Sequence, residues 1–166
     1  MLDPWASRPA EVANLLNPAF TGVLLRQAVD GYVRESAAGM PFAIAFLVLP
    51  FSLHKGTSDR LPARVTTYVQ QWVQDNRDVL VTFPSRMRTL LPYTREGIIF
   101  ASQRQVLLID GDGLLQPGAK KPYGVSNYLS SSPRIAESLK QATFMGRWLA
   151  LSGTPTTLYS VLGVTP

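Results

Sequence analysis

The stretch PFAIAFLVLPFSL, residues 41–53, is the longest apolar run of the chain. Pro41 can open a helix there, because a residue in the first helical turn needs no N–H. The helix would run to Leu49, and nearly every side of it is apolar, so it must be surrounded by protein. The run is interrupted by Pro50 and Ser52 and falls short of the roughly 20 residues that cross a bilayer. We therefore expect it to form the centre of a globular core, with no role for a membrane.

The length and composition are typical of one globular domain, with 166 residues of which 46% are hydrophobic and 16% charged. A chain of this length buries roughly 70% of its unfolded surface, which suffices for a core without disulfides or a structural metal. The lack of cysteine excludes disulfide frameworks, zinc–cysteine sites, iron–sulfur sites and a thiol nucleophile. The N-terminus has no basic region followed by an apolar core, so we expect no signal peptide and a cytoplasmic protein.

The charge is modestly basic, with 16 Lys and Arg against 11 Asp and Glu, and 12 of the bases are arginine. Guanidinium groups suit bidentate contacts with carboxylates or phosphates. The bases are scattered, however, and the longest run is Lys120-Lys121. A dedicated nucleic-acid binder carries a denser basic stripe, so acidic protein partners explain the bias equally well.

Local signals predict mainly helical structure. Asn17 followed by Pro18 is typical of a helix start, because the asparagine can cap the helix and the proline N–H is not needed. On that helix Arg26 and Asp30 are predicted to project away from the apolar face, and Pro92 is predicted to end a later helix. The predicted helices cover residues 10–16, 18–39, 41–49, 59–73, 82–91, 95–103, 133–153 and 155–162.

The hydrophobic period changes after residue 105. Residues 106–109 and 114–115 predict two strands, joined by the turn Asp110-Gly111-Asp112-Gly113, whose glycines can supply positive φ. Asp110 and Asp112 have a spacing that can hold a hard cation, but no further oxygen ligands follow, which favours a simple hairpin turn. A helix followed by a hairpin at residues 94–116 is the outline of a winged helix. We therefore predict a mainly α fold of the α+β class.

This interpretation divides a single domain, residues 1–166, into four parts. They are a helical core at 8–104, a β-hairpin at 105–116, a surface loop at 117–132 and C-terminal helices at 133–163.

The sequence contains no convincing catalytic pattern. His54 is the one histidine, so no site can use two imidazoles, and a Ser-His-Asp arrangement has one available base. Residues 130–132 are serines in the predicted loop, without the strand-turn-helix context of a nucleophile. Neither a P-loop nor a GxGxxG pattern after a strand is present. We predict a protein that is not an enzyme and that needs no cofactor or metal.

Contact with nucleic acid is the alternative that the winged-helix outline raises. The acidic turn of the hairpin would repel a phosphate backbone, which favours protein contact over DNA contact. The residues predicted for phosphate contact, if it occurs, are Arg86, Arg88, Arg95 and Arg104.

The segment RPAEVANLLNPAF, residues 8–20, resembles the opening of the small middle component of bacterial ABC three-component systems. Further segments resemble that family in the same order along essentially the whole chain. They are GMPF at 39–42, FLVLP at 46–50, LHK at 53–55, LP at 61–62, PYTRE at 92–96, GRW at 146–148, Gly153, and GVTP at 163–166.

The resemblance implies a role in defence against phage or plasmids, as in Lamassu-type systems. The middle component would be an adaptor without catalytic residues, between an SMC-like ABC ATPase that senses DNA and an effector such as a nuclease. Its partners would be these two proteins, with DNA bound through the ATPase. A winged-helix DNA-binding regulator and an enzyme that uses His54 or the two turn aspartates are the alternatives.

An adaptor needs two faces, and we assign residues 8–17 to one and the loop around Tyr123, with Arg147, to the other. An Arg8–Glu11 pair and an Asn14 bond to the backbone would fix the path of the first segment. Capping and bracing of the first helix is an equally good interpretation of these residues. The predicted interface residues are Trp5, Arg8, Glu11, Asn14, Asn17, Tyr123 and Arg147.

Overall fold

The computed structural model describes residues 2–4, 7–122, 125 and 132–165. Its helices are α1 (Ala10–Leu15), α2 (Pro18–Glu35), α3 (Phe42–Ser52), α4 (Lys55–Ser58), α5 (Val69–Asp75), α6 (Arg77–Leu80), α7 (Phe83–Gln103), α8 (Pro133–Leu151) and α9 (Pro155–Leu162). Its strands are β1 (Met40–Pro41), β2 (Leu107–Ile109) and β3 (Leu114–Pro117). The predicted class, mainly α with a small antiparallel β component, is confirmed.

Helix α3 is the centre of the core, as its apolar sequence predicts. Its residues from 44 to 52 are buried. The ring of Phe51 lies 4.8 Å from the ring of Phe83, 5.5 Å from that of Trp72 and 5.9 Å from that of Trp148, measured between centroids. These separations are typical of favourable aromatic pairs, so α3 joins three other helices through one aromatic cluster.

Helix α2 packs against α8 at backbone contact distance, because glycines lie at the crossing. A Cβ atom added at Gly146 would lie 1.8 Å from the carbonyl oxygen of Ala28, and one added at Gly31 would lie 2.2 Å from that of Thr143. At the contact of α2 with α7, a Cβ at Gly97 of α7 would lie 2.5 Å from a side-chain oxygen of α2. Only residues without a Cβ allow helices to approach this closely.

The strands form an antiparallel sheet in the order β1-β3-β2. Leu115 pairs with Met40 on one side and with Ile109 on the other. The predicted hairpin is confirmed, although only Gly113 of its two turn glycines has a positive φ, of 75°. Asp110 holds the turn, since its carboxylate accepts the backbone N–H groups of Asp112 and Leu114 at 3.1 and 2.9 Å. The interpretation of these aspartates as hairpin residues is therefore confirmed.

The predicted end of a helix at Pro92 is wrong, because α7 continues through it without interruption. A proline inside a helix costs about 3 kcal/mol. Here residues of both halves, such as Phe83, Met87 and Ile98, are buried on one side of the same helix, and this shared packing outweighs the local cost. One helix, rather than two, therefore leads into the hairpin, and the winged-helix assignment stays a prediction.

The predicted helix at 59–73 is also wrong in its first half, since α5 begins only at Val69 and Tyr68 is 74% exposed. The carbonyl of Arg60 instead accepts the indole N–H of Trp72 at 2.6 Å, and that of Thr67 accepts the indole N–H of Trp148 at 2.7 Å. Two buried indoles therefore donate to carbonyls that would accept backbone N–H groups in a helix. These tertiary contacts override the periodicity of the sequence.

Smaller differences concern the ends of elements. Helix α2 stops at Glu35, before the predicted stop at Gly39, and Pro41 lies in β1 rather than in the first turn of α3. A Cβ at Gly39 would lie 2.5 Å from the side chain of Gln116, so this glycine serves the approach of the chain to β3. Among the described residues, no helix has the length and hydropathy to span a membrane.

Candidate protein–protein interface

Helix α1 lies between two concave surfaces that together we call the α1 groove. Leu15, which is 59% exposed, and Leu53 line both of them. The larger concavity, about 540 Å³, lies against α2 and the start of α8, and its apolar wall includes Phe20 and Ile135. The smaller one, about 310 Å³, lies against the start of α7. The groove is therefore apolar at its centre, with an exposed leucine on the helix that divides it.

Arg8 anchors the segment that leads into α1. Its Nη1 and Nη2 donate to the two carboxylate oxygens of Glu96 at 2.8 and 2.7 Å, and its Nε donates to the carbonyl of Asp3 at 2.8 Å. The hydrogen bond with Glu96 raises the pKa of Arg8 above its ordinary value. The predicted pairing of Arg8 with Glu11 is therefore wrong, because α7 supplies a carboxylate in bidentate geometry that holds the side chain of Arg8, which is 7% exposed, against the protein.

The remaining predicted residues of this segment separate into two groups. Asn17 caps α2 as predicted, since its side-chain oxygen accepts the N–H of Phe20 at 2.8 Å. Glu11 and Asn14 are exposed on α1, and with Leu15 they follow the three- and four-residue spacing of one helical face. Asn14 also lines the larger concavity. The structure thus brings Glu11, Asn14 and Leu15 together on the outer face of α1.

The second predicted face lies only partly within the residues that the structure describes. Arg147 on α8 donates from Nε to Oε1 of Glu35 on α2 at 2.5 Å, and its side chain remains 42% exposed. Trp5 and Tyr123 lie outside the described residues. The pairing of these residues into one interface stays a prediction.

Among the four arginines predicted for phosphate contact, Arg86 turns inward. It donates to the side-chain oxygen of Thr57 at 3.0 Å and to the carbonyl of Val79 at 3.2 Å, and it lies 5.5 Å from the ring centroid of Phe83. Burial lowers the pKa of Arg86. This half-buried arginine therefore joins α7 to α4 and α6, and its predicted contact with phosphate stays a prediction.

The other three arginines are exposed but do not form one surface. Arg88 and Arg95 are about two turns apart on α7 and share its solvent-facing side with Ile99, which is 57% exposed. Arg104 lies beyond the end of the helix, 4.2 Å from the ring centroid of Phe100. The structure brings together Arg88 and Arg95 and leaves Arg104 at the base of the hairpin.

The side chain of His54, the base that a hydrolase site would need, is hydrogen-bonded to the side chain of Thr57. Its Nδ1 lies 2.8 Å from the hydroxyl oxygen of Thr57, which already accepts an N–H of Arg86. The hydroxyl proton is therefore available to Nδ1, which favours the neutral imidazole. Burial and the charge of Arg86 both lower the pKa of His54. The part of the chain that the structure describes holds no group of three His, Asp or Glu residues suited to a metal ion.

The environment of Arg26 differs strongly from the one that the sequence predicts. The spacing of the helix predicts that Arg26 projects away from the apolar face, yet it is 7% exposed. Its Nη1 donates to the carbonyls of Val106, Lys120 and Gly118 at 2.7, 3.0 and 3.1 Å, and its Nε donates to Asp30 at 2.9 Å. The four-residue spacing from Arg26 to Asp30 was the one sequence signal of this arrangement. Arg26 therefore fastens the base of the hairpin, just before β2 and just after β3, to α2.

The chain is similar to one protein family by sequence over nearly its whole length. A family described as ABC-three component (ABC-3C) system Middle Component 3 matches residues 5–166. No curated protein and no solved structure matches the chain.

Proposed function

The chain belongs to the middle component 3 family of ABC three-component systems, and from this premise we propose that it is a non-catalytic, cytoplasmic adaptor. It bridges an SMC-like ABC ATPase and an effector, such as a nuclease, in a complex that defends against phage or plasmids, as in Lamassu-type systems. DNA reaches the complex through the ATPase. The family match over residues 5–166 is the observation that carries this proposal.

The α1 groove supports the proposal as the first of two docking faces. Protein interfaces bury an apolar centre and keep a polar rim. Leu15 supplies an exposed apolar anchor between two concavities, while Glu11 and Asn14 lie beside it on the outer face of α1. Because Arg8 and Asn17 are engaged within the chain, they hold this face in place rather than contact the partner.

Arg147 supports the second face. Its ion pair with Glu35 connects α8 to α2, and its guanidinium remains partly exposed. A partner that contacts Arg147 would act on a helix pair that packs at backbone contact distance. An adaptor needs such a connection, because binding at one face must change what the other face holds.

The experiment is co-purification of the tagged chain with the products of its neighbouring genes, followed by mass determination of the complex. The wild-type chain is expected to retain a large ATPase and an effector. Leu15→Glu is expected to lose one partner and Arg147→Ala the other. Tyr68→Glu is the matched control, because Tyr68 is 74% exposed and lies outside the α1 groove, and it should retain both. A wild-type chain that elutes alone overturns the proposal.

A DNA-binding regulatory protein is the second candidate, favoured by the exposed Arg88 and Arg95 on one side of α7. In that case the isolated chain binds DNA with an affinity that falls steeply as salt rises. A double Arg88→Ala and Arg95→Ala variant would lose that binding. Arg34→Ala on α2, also exposed, is the control. Salt-sensitive binding that needs Arg88 and Arg95, together with failure to recruit a partner, would replace the adaptor proposal.

A further inference from the structure

Arg86 is a partly buried cation without a carboxylate partner among the described residues. The other arginines of the described chain that are at least partly buried each form an ion pair. These pairs are Arg8 with Glu96, Arg26 with Asp30 and Arg147 with Glu35. A charge that is withdrawn from water without a counter-charge is costly to the fold. Such a group is often part of a site that another molecule completes.

The contacts of Arg86 within the chain are neutral and use only part of its hydrogen-bonding capacity. Nη1 donates to the hydroxyl of Thr57 at 3.0 Å, and Nη2 donates to the carbonyl of Val79 at 3.2 Å. Nε is buried and has no hydrogen-bond partner among the described residues. A guanidinium carries five N–H groups and stays charged in proteins, so a positive charge and unused donors remain for a ligand.

Arg86 lies at the wall of the smaller concavity of the α1 groove, whose volume is about 310 Å³. The rest of this wall is mainly apolar, with hydroxyl groups from α7. Its leucines are Leu15, Leu16, Leu53 and Leu90, and its hydroxyl side chains are Ser85 and Thr89. The concavity therefore combines an apolar lining with one guanidinium, which fits a ligand with an apolar stem and a single negative charge.

A carboxylate side chain fits this concavity better than the phosphate backbone of a nucleic acid. Nucleic-acid backbones are bound by several exposed cations, whereas Arg86 is the one lysine or arginine among the residues described in this wall. A glutamate or aspartate carries its charge on an aliphatic stem, and carboxylates form strong charge-assisted hydrogen bonds with guanidinium groups.

We propose that the partner protein docked on the α1 groove inserts an acidic side chain into the smaller concavity, where its carboxylate pairs with Arg86. This inference rests on the adaptor proposal and specifies the chemistry of the first docking face. The leucines around the concavity contact the aliphatic stem and exclude water from the ion pair, which strengthens the attraction between the two charges. Arg86 thereby selects an acidic partner segment for an otherwise apolar surface.

The test uses the partner that co-purifies with the tagged full chain and that Leu15→Glu loses, with binding measured by biolayer interferometry. Arg86→Met should raise the Kd about thirtyfold or more, mainly through faster dissociation, because the partner's carboxylate is left without a counter-charge. Arg86→Lys keeps the charge and should lie between the wild type and Arg86→Met. Arg88→Met is the matched control, since it removes the same charge from an exposed position outside the concavity and should change the Kd by less than about threefold.

A second test leaves Arg86 in place. Thr89 is exposed, lines the same concavity and lies three residues from Arg86 on α7, so Thr89→Glu supplies a carboxylate within the chain. This carboxylate should compete with that of the partner and raise the Kd about tenfold, without a loss of stability in urea denaturation. Thr89→Gln has the same size without the charge and should keep the wild-type Kd.

The outcomes separate this inference from the adaptor proposal. Equal Kd values for Arg86→Met and Arg88→Met, or for Thr89→Glu and Thr89→Gln, overturn the inference and leave the adaptor proposal intact. If Arg86→Met does not fold, the two Thr89 variants decide. Binding of duplex DNA, instead of a partner protein, through Arg86 would assign the site to phosphate and also overturn the inference. A wild-type chain without a partner, or a Leu15→Glu variant that keeps every partner, overturns the docking face itself.

Discussion

Replacement of Arg26 by methionine should detach the hairpin from α2. The substitution keeps an apolar chain of similar length but removes every donor to the carbonyls of Val106, Gly118 and Lys120.

The expected loss of stability follows from the individual contacts. A hydrogen bond from a charged donor contributes about 1.5–3 kcal/mol, and the shortest bond of this set, 2.7 Å to Val106, has that character. Lys120 is exposed and Gly118 half-buried, so water can reach their carbonyls after the substitution, and each adds only about 0.5 kcal/mol. The free energy of unfolding should fall by about 2.5–4 kcal/mol, which for a domain of this size lowers Tm by about 5–16 °C.

The assay is urea denaturation of the purified full chain, combined with hydrogen exchange of the hairpin amides. Arg34→Met on the same helix is the control, since Arg34 is exposed and its loss should change stability by less than about 0.5 kcal/mol. Arg26→Lys should lie between the two, because an ammonium cannot reproduce the guanidinium fork. If Arg26→Met is as stable as Arg34→Met and its hairpin amides exchange no faster, the role assigned to Arg26 is wrong.

Three further predictions concern other contacts. Gly146→Ala should reduce the free energy of unfolding by about 1–3 kcal/mol, because the new methyl group would lie 1.8 Å from a carbonyl oxygen of α2, whereas Gly111→Ala, with open space around it, should be neutral in the same denaturation experiment. The lowered pKa of His54 means that the unfolded chain binds more protons, so stability should decline as pH falls through the ordinary histidine pKa of about 6.5, and His54→Gln should flatten that part of the stability–pH curve. Arg8→Met and Glu96→Gln should each accelerate hydrogen exchange in α1, and the double variant should be no worse than either single one; additive effects would show that the two side chains act separately.

Several elements could be predicted because their signals act within a few residues. Asn17 and Pro18 start α2. The hydrogen bond that caps this helix joins Asn17 to Phe20, only three residues further along the chain. Thr154 caps α9 in the same way, and Gly163, with a φ of 66°, ends it. A side chain that caps a helix or closes a turn satisfies neighbouring backbone groups, so its effect is visible in the sequence itself.

Other features depend on partners that are remote in the chain. The hydrophobic periodicity could not reveal that the carbonyl of Arg60 accepts the indole N–H of Trp72. It also could not reveal that packing allows α7 to continue through Pro92. Glu96 lies 88 residues from Arg8, whereas the predicted partner, Glu11, lies three residues away. The packing of a segment against distant elements can outweigh a local cost of a few kcal/mol. A local sequence pattern does not show which elements will pack together.

For the candidate interface, the local sequence indicates which segment is involved, whereas the packing of remote elements sets which of its side chains face outward. The motif at residues 8–20 and the apolar run at 41–53 are sufficient to indicate the family and the core. Only the fold shows that Arg8 is held by α7 and that Leu15 stands exposed between two concavities. The reason is that apolar patterning and capping are encoded locally, whereas exposure depends on which remote surfaces cover a residue.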